Sequence, residues 1–241
     1  MTFYPTLEEF SNLTKLIEYM ESCGAHRAGI AKIQAPKDWV PRAAGYNPAD
    51  IEDIDIKPVQ QDISVTQVDG AFKTISDRSR PEISVDQYRK LAISAKYSTP
   101  SHNSYEELEE LYWKQNLDDK AAAPIYGADV CDSLTDKSQK AWNIDRLDSL
   151  LTEVMEEQIP GVNLPYLYFG MWKATFSWHV EDMDLYSVNC EFLHFGLGPK
   201  FGGIIMTIFC FRHSLRSPQD LVLHPPAVWI SARAGRKVDF D

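Results

Sequence analysis

The sequence predicts an α+β protein in which helices come first and a sheet follows. Up to Val154, capping boxes and apolar residues at helical spacing recur along the chain. From Tyr166 onward, aromatic and β-branched residues follow one another with little helical periodicity, which is typical of strands. The strands are expected from Tyr166 to about Phe195 and again over Ile204–Phe211.

The first expected helix begins after Thr6, whose spacing to Glu9 is that of a capping box, and ends at Gly24. A short strand is expected over Ile30–Ile33. Residues 46–70 are acidic and aperiodic, which predicts a loop with at most a short strand. The apolar face of the first helix is expected to comprise Leu7, Phe10, Leu13, Ile17 and Met20.

The middle of the chain is expected to be helical. Two further capping boxes, Ser84 with Gln87 and Ser104 with Glu107, each precede apolar residues at helical spacing. A fourth helix is predicted by a set of apolar residues with the same spacing: Ile144, Leu147, Leu151 and Val154.

Composition narrows the class of protein. At 241 residues with 44% apolar residues, the chain can bury a core. A net charge of -11 and a pI near 5.0 argue against direct DNA binding and suit a cationic partner such as a basic peptide tail. The four cysteines show no CxxC pairing, which favours a reducing compartment. The longest apolar run is too short to span a bilayer, and the N-terminus resembles no export signal.

Common catalytic motifs are missing from the sequence. The segment GLGPKFGG has glycines but neither the GK[ST] ending nor the setting of a phosphate loop, so a nucleotide site is not expected. The chain also has no G-x-S-x-G elbow and no Cys and His at a known catalytic spacing, which leaves covalent hydrolysis without support.

The pair His179 and Glu181 is the strongest candidate for a metal site. A spacing of two on a strand points both side chains to one face, roughly 7 Å apart along the backbone. An imidazole and a carboxylate are two members of the facial triad that holds non-heme Fe(II), and a further His completes it. A bare H-x-E is more often a chance occurrence on a solvated strand. Here Phe176, Trp178 and Tyr186 predict a buried pair, and a buried carboxylate is costly unless it is paired or bound to a metal.

Three blocks of sequence, which cover most of positions 3–195, resemble the JmjN and JmjC modules of histone lysine demethylases of the trimethyl-lysine 9 and 36 class. These blocks read FYPTLEEFSNLTKLIEYMESCGAHRAGIAKIQAPKDWVPR, YWKQN with APIYGADV, and WNIDRLDSLL with GVNLPYLYFGMWKATFSWHVEDMDLYSVN. The resemblance implies a JmjN segment with a helical linker, packed on a partial double-stranded β-helix, the cupin-like jelly roll of JmjC. The implied division is JmjN at 1–46, a mixed helical linker at 47–137, the first part of JmjC at 138–200 and a divergent tail at 201–241.

The resemblance also implies an Fe(II)- and 2-oxoglutarate-dependent dioxygenase that hydroxylates an N-methyl group of a histone lysine, whose hemiaminal then releases formaldehyde. The implied substrate is a methylated histone tail on a nucleosome, in the nucleus, with no direct DNA or membrane binding by this segment. Each implied site residue matches a family position: His179 and Glu181 for iron; Tyr126, Asn189, Phe176 and Lys200 for 2-oxoglutarate; Tyr168, Tyr166 and Gly161 for the methylated ammonium.

The sequence departs from the family's pattern after Asn189. In NCEFLHFGLGPK the added residues place Lys200 three positions late, and an odd shift on a strand turns a side chain to the opposite face. Beyond Lys200, neither the Gly-Tyr-His context of the distal iron ligand nor the zinc-binding Cys and His occur, so no structural zinc is expected. The remaining candidates for the third iron ligand are His194, His213 and His224.

Three functions therefore stay open. The first is the demethylase, truncated and without turnover in this chain. The second is an inactive JmjN/JmjC remnant that binds chromatin or another partner. The third is a different cupin-like metal hydrolase that uses His179 and Glu181. A jelly roll that stops near its middle leaves strand edges open unless the tail covers them, and Ile204–Phe211 is the candidate strand.

Overall fold

The computed structural model of the chain describes residues 1–44, 51–68, 71–176, 179, 181–194, 204–211 and 228–231. The helices are α1 Leu7–Phe10, α2 Leu13–Ser22, α3 Ala25–Ala28, α4 Val85–Ala92, α5 Tyr105–Asn116 and α6 Leu150–Val154. The strands are β1 Thr2–Phe3, β2 Ile30–Ile33, β3 Asp55–Ile56, β4 Pro58–Val65, β5 Phe72–Asp77, β6 Ile83–Ser84, β7 Ile125–Cys131, β8 Tyr166–Gly170, β9 Tyr186–His194, β10 Ile204–Phe211 and β11 Val228–Ser231. No helix within these residues has the length and apolar character that a membrane crossing requires.

The predicted capping box at the first helix is confirmed. The Thr6 hydroxyl accepts a hydrogen bond from the Glu9 amide, and the Thr6 amide donates to the Glu9 carboxylate at 2.8 Å. The prediction of one continuous helix is wrong, because Asn12 adopts an extended backbone and begins α2, its side chain accepting from the Lys15 amide at 2.9 Å. Gly24 ends the helical run at a φ of 94°, and the predicted strand β2 is confirmed.

The two predicted helices in the middle of the chain are confirmed as α4 and α5. Ser84 and Gln87 form both bonds of the predicted capping box. At α5 the box is only half formed. The Ser104 hydroxyl accepts from the Glu107 amide, but the Glu107 carboxylate accepts from the Asn103 amide at 2.7 Å.

The expectations of a loop over residues 46–70 and of a wholly helical middle are wrong. Strands β3 and β4 lie in the first of these regions, and β5 and β7 flank α4 and α5. Strand β4 pairs with β5 on one side and β7 on the other, so pairing with distant strands determines its conformation.

The predicted fourth helix is shorter than its periodicity suggests. Helix α6 begins after Ser149, whose hydroxyl accepts from the Thr152 amide, and ends at Val154. Ile144 and Leu147 are fully buried, yet they lie in irregular backbone before α6. Their apolar side chains therefore report burial in the core and not a helical face.

Among the described residues, nine strands form one sheet in the order β1-β2-β11-β9-β10-β8-β7-β4-β5. Strand β10 is antiparallel to both β8 and β9, and β11 lies between β9 and β2. The predicted strand β10 is thus confirmed and covers edges of β8 and β9, whereas β11 was not predicted. The expected mixture of helices and strands is confirmed, and the finer expectation of a partial jelly roll stays a prediction.

Two apolar cores lie against this sheet. The first core joins the N-terminal helices to β9 and to the segment before α6, with members such as Phe10, Ile17, Trp142, Ile144 and Val188. The second core joins α4 to β7 and β8, with members such as Ile56, Tyr88, Ile125, Leu167 and Phe169. Burial of apolar area of this kind is the main favourable contribution to folding.

Candidate metal and substrate site

A cavity of about 510 Å³ opens beside β4, β7 and β8 and is the main cleft of the described structure. On β8, Leu167 and Phe169 point into the second core, so by alternation Tyr166 and Tyr168 face the cleft. Seven of the nine site residues predicted from the sequence line this cavity: Tyr126, Gly161, Tyr166, Tyr168, Phe176, His179 and Glu181. Asn189 is not among its lining residues, and Lys200 lies outside the described residues.

His179 and Glu181 meet in the cleft. The distance between His179 Nε2 and Glu181 Oε1 is 3.7 Å. The prediction that they lie on a strand is wrong, because His179 and Glu181 lie in irregular backbone between β8 and a 3-10 turn at Asp182–Asp184. Their side chains converge through the path of this loop.

The predicted burial of the pair is also wrong. The His179 side chain is 51% exposed, and Phe176 beside it is 48% exposed. Tyr186 is buried, but its hydroxyl donates to the Glu21 carboxylate on the side of the first core. Trp178 lies outside the described residues. The pair therefore stands at an open cavity that small solutes can enter.

The donor types and their separation fit one metal ion. Two donors that each lie about 2.1 Å from a shared ion are at most about 4.2 Å apart, and the observed separation falls within this limit. Within the described part of the chain, no group of three or more His, Cys, Asp or Glu could hold a metal ion. Of the candidates for a third ligand, His194 ends β9 opposite Ile204, and His213 and His224 lie outside the described residues.

The loop that carries the pair is held by polar contacts with β4 and α5. The Gln61 side chain donates to the Thr175 carbonyl at 2.7 Å and accepts from the Thr175 amide at 2.9 Å. The hydroxyls of Tyr112 and Thr175 lie 2.8 Å apart, and the Trp172 indole donates to the Gln115 side chain at 2.8 Å. Sequence reasoning missed Gln61 and Thr175, because their partners are more than a hundred residues apart along the chain.

Three tyrosines form one wall of the cleft. The rings of Tyr126 and Tyr168 stack with centroids 5.9 Å apart, and Tyr166 stands edge-on to Tyr168 at 6.1 Å. Burial, with a smaller contribution from the Asp129 carboxylate, raises the pKa of Tyr126. Burial also raises the pKa of Tyr166. Both hydroxyls are therefore protonated at neutral pH and can donate hydrogen bonds.

Gly161 closes the wall over Tyr166. Its φ is 78°, which disfavours any residue with a side chain, and a Cβ there would lie 2.4 Å from Cε2 of the Tyr166 ring. The Gly161 amide donates to the Leu164 carbonyl at 2.8 Å, which fixes this turn. The close contact explains why a glycine occupies this position.

The charge at the rim of the cleft is mostly negative. Glu181, Asp129 and Asp182 line it, and the described lining contains one guanidinium, that of Arg78. Arg78 forms a salt bridge with Asp129 at 2.9 Å. One of the three carboxylates is thereby neutralised, and the remaining charge favours a cationic ligand.

Asn189 lies two strands away from Tyr166. Both residues are in register with Ile208 of β10, and two strand spacings correspond to roughly 10 Å. Since Val188 and Cys190 point into the first core, Asn189 points to the face that carries the cleft. Its Oδ1 is buried and has no hydrogen-bond partner among the described residues, which leaves one acceptor available.

Comparison with known proteins identifies relatives. Residues 1–35 match the jmjN domain, and residues 166–197 match the family described as "JmjC domain, hydroxylase". The chain is 50% identical over 201 residues to the human protein named "Probable lysine-specific demethylase 4F", 50% identical over 200 residues to lysine-specific demethylase 4B of Mus musculus, and 48% identical over 200 residues to lysine-specific demethylase 4D of Rattus norvegicus.

Each of these matches covers 81% of the chain, which spans 30%, 17% and 37% of the lengths of these three relatives. The residues that they share with the chain thus form one part of longer proteins. The chain carries a JmjN segment and a JmjC segment and is related to the lysine-specific demethylases.

Proposed function

We propose that the chain is the JmjN/JmjC part of an Fe(II)- and 2-oxoglutarate-dependent histone lysine demethylase. The observation that carries this proposal is the convergence of His179 and Glu181 with a wall of three tyrosines in one cleft. Sequence identity of about one half with lysine-specific demethylases supports it. The division into JmjN at 1–46, linker at 47–137, JmjC at 138–200 and tail at 201–241 belongs to the same proposal, as does the jelly-roll architecture.

His179 and Glu181 would hold the iron through Nε2 and a carboxylate oxygen. Bound Fe(II), together with 2-oxoglutarate and dioxygen, supplies the oxidation that hydroxylates an N-methyl group. The two side chains provide one neutral and one anionic donor, as the facial triad requires. The bonds between Gln61 and Thr175 hold the start of the loop that ends in this pair.

Tyr126 would bind the cosubstrate. Its protonated hydroxyl can donate to a carboxylate of 2-oxoglutarate, and a phenol that ionised near neutral pH would repel that carboxylate. Phe176 lines the same cavity and offers an apolar wall. Asn189 and Lys200 complete the proposed set: the first has an available acceptor, and the second would neutralise the far carboxylate.

The methylated ammonium would be held by Tyr166, Tyr168 and the backbone at Gly161. A trimethylated ammonium donates no conventional hydrogen bond, so aromatic faces and carbonyl oxygens are the groups that stabilise it. The negative rim suits a basic histone tail, and the net charge of -11 opposes direct contact with DNA. A nucleosomal substrate and a nuclear location follow from this proposal, without contact with membrane.

A second candidate function is a JmjN/JmjC module that binds a partner without turnover. The observation that favours it is the pair of donors without a third among the described residues. Such a module would still bind a methylated lysine through the tyrosine wall.

One experiment separates the two functions. Under anaerobic conditions, Fe(II) and 2-oxoglutarate are added to the chain and to its His179→Ala variant, and the charge-transfer absorbance band is recorded. Formaldehyde release from a trimethyl-lysine peptide is then measured in air. A band and turnover that both vanish in the variant support the demethylase. Peptide binding without a band or turnover supports the partner module, and the absence of all three contradicts both.

A further inference from the structure

A second cavity, of about 200 Å³, lies on the opposite side of the loop that follows β8. It is bounded by residues after α4, by the end of α5 and by that loop, and none of its described lining residues lines the main cleft. The side chains that carry its chemistry are Lys96, Tyr97, Ser98, Gln115, Trp172 and Lys173.

Lys173 is a buried cation with few partners. It is 7% exposed, and its Nζ makes one long contact of 3.4 Å with the Gln115 carbonyl. An ammonium has three donors, and a buried charge that lacks hydrogen bonds is costly. Burial accordingly lowers the pKa of Lys173, whereas the more distant carboxylates of Asp62 and Asp118 act in the opposite direction.

The backbone of Lys173 is also unusual. Its φ is 69°, a left-handed conformation that a residue with a side chain rarely adopts. Such strain persists where the surroundings hold the residue in place, and it is common at binding sites. On either side, Trp172 donates to Gln115 and the Thr175 hydroxyl donates to the Lys173 carbonyl at 2.8 Å. The structure therefore holds the ammonium at the cavity.

The rest of the described lining suits a negative ligand. Lys96 is exposed, and its Nζ lies 5.1 Å from the centroid of the buried Tyr97 ring, which places a second cation at the cavity. Ser98 adds a hydroxyl, and the described lining contains no carboxylate. Two cations with no compensating acid produce a local positive potential in a protein whose net charge is -11.

We propose that this cavity binds a small oxyanion, a carboxylate or a phosphate, between Lys173 and Lys96. Cavities for drug-sized ligands begin at about 300 Å³, so a ligand of only a few non-hydrogen atoms matches this volume. An oxyanion would accept hydrogen bonds from the donors that Lys173 leaves unused. The site is separate from the metal cleft and does not depend on the proposed demethylase activity.

Competitive acetylation of the native chain tests the proposal. The chain is treated with acetic anhydride in the presence of inorganic phosphate, succinate or sodium chloride at matched ionic strength, and each lysine is quantified by mass spectrometry. At a ligand concentration of about twice the Kd, acetylation of Lys173 should fall about threefold. Lys96 should be protected with it. The exposed Lys120 serves as the internal control and should react equally in all three solutions.

The variant Lys173→Met supplies a second measurement. Phosphate or succinate should raise the Tm of the native chain and of Lys120→Met but not that of Lys173→Met. If Lys173→Met fails to fold, acetylation of the native chain decides alone. Protection by one anion only would support the proposal and identify the ligand class. Equal acetylation of Lys173 in every solution, protection that extends to Lys120, or a Lys173 that never reacts would each overturn it.

Discussion

Gln61 of β4 and Thr175 of the loop after β8 bond to each other as two strand residues would. The Gln61 amide group donates to the Thr175 carbonyl at 2.7 Å and accepts from its amide at 2.9 Å. Gln61 is 8% exposed, so these bonds are shielded from water. Through them, a residue in the edge region of the sheet positions the loop that leads to His179.

Replacement of Gln61 by Leu is expected to lower the free energy of unfolding by about 1–3 kcal/mol, because it leaves the Thr175 amide and carbonyl unpaired. It should also weaken Fe(II) binding, since the loop loses its anchor. Urea unfolding and Fe(II) titration measure the two effects. The exposed Gln67→Leu is the matched control and should change neither quantity. Unchanged metal affinity in Gln61→Leu would show that the anchor does not position the pair.

Replacement of Gly161 by Ala should displace the Tyr166 ring, because the new Cβ would lie 2.4 Å from Cε2. Gly24→Ala is a useful comparison, since Gly24 also has a positive φ but its Cβ would lie no closer than 3.9 Å to a neighbouring atom. Both variants carry a left-handed penalty of about 1–2 kcal/mol.

Only Gly161→Ala should in addition weaken binding of a trimethyl-lysine peptide, as measured by fluorescence anisotropy. Equal peptide affinity in the two variants would contradict a role for the Tyr166 wall in substrate binding.

The stability of the fold should decrease at alkaline pH. Burial raises the pKa of both Tyr88 and Tyr126 above the ordinary value of 10.0, so the folded chain keeps both hydroxyls protonated. The unfolded chain releases these protons at about pH 10, so their contribution is complete below that pH and is lost as the pH rises above it.

Urea unfolding at about pH 9 and about pH 11 measures this loss. Tyr126→Phe should reduce the difference between the two measurements by at most about 1.4 kcal/mol for each unit of pH above 10. Tyr4→Phe, at an exposed side chain, should leave the difference unchanged. A pH dependence that is identical in all three proteins would show that Tyr126 ionises alike in the folded and unfolded chains.

Trp142 connects the N-terminal helices to the segment before α6. Its indole donates to the Phe10 carbonyl at 2.6 Å, and the two rings stack with centroids 4.9 Å apart. Trp142→Phe should lower the free energy of unfolding by about 1–3 kcal/mol, because the buried Phe10 carbonyl loses its donor.

Trp113→Phe changes the same residue type at a side chain that is 38% exposed, and it should cost clearly less. Denaturant unfolding of the two variants provides the test. Equal losses would mean that the Trp142 hydrogen bond contributes nothing beyond the size of the ring.

Local signals in the sequence predicted the capped helices. Thr6 and Ser84 begin their helices as expected, because a capping box depends on residues three positions apart and is complete within one turn. The same locality explains the errors. The periodicity of Ile144 and Leu147 reflects contacts with the first core, and β4 is a strand because β5 and β7 pair with it.

The sequence by itself determined the chemistry available at the site: an imidazole, a carboxylate and a set of tyrosines, with a resemblance that predicted their roles. Only the tertiary structure decided which of these groups meet. The loop beyond β8 brings His179 within 3.7 Å of Glu181, whereas the sheet register separates Asn189 from Tyr166 by two strands. Side-chain type is a local property of the chain, but distance between residues far apart in sequence depends on strand pairing and loop anchoring.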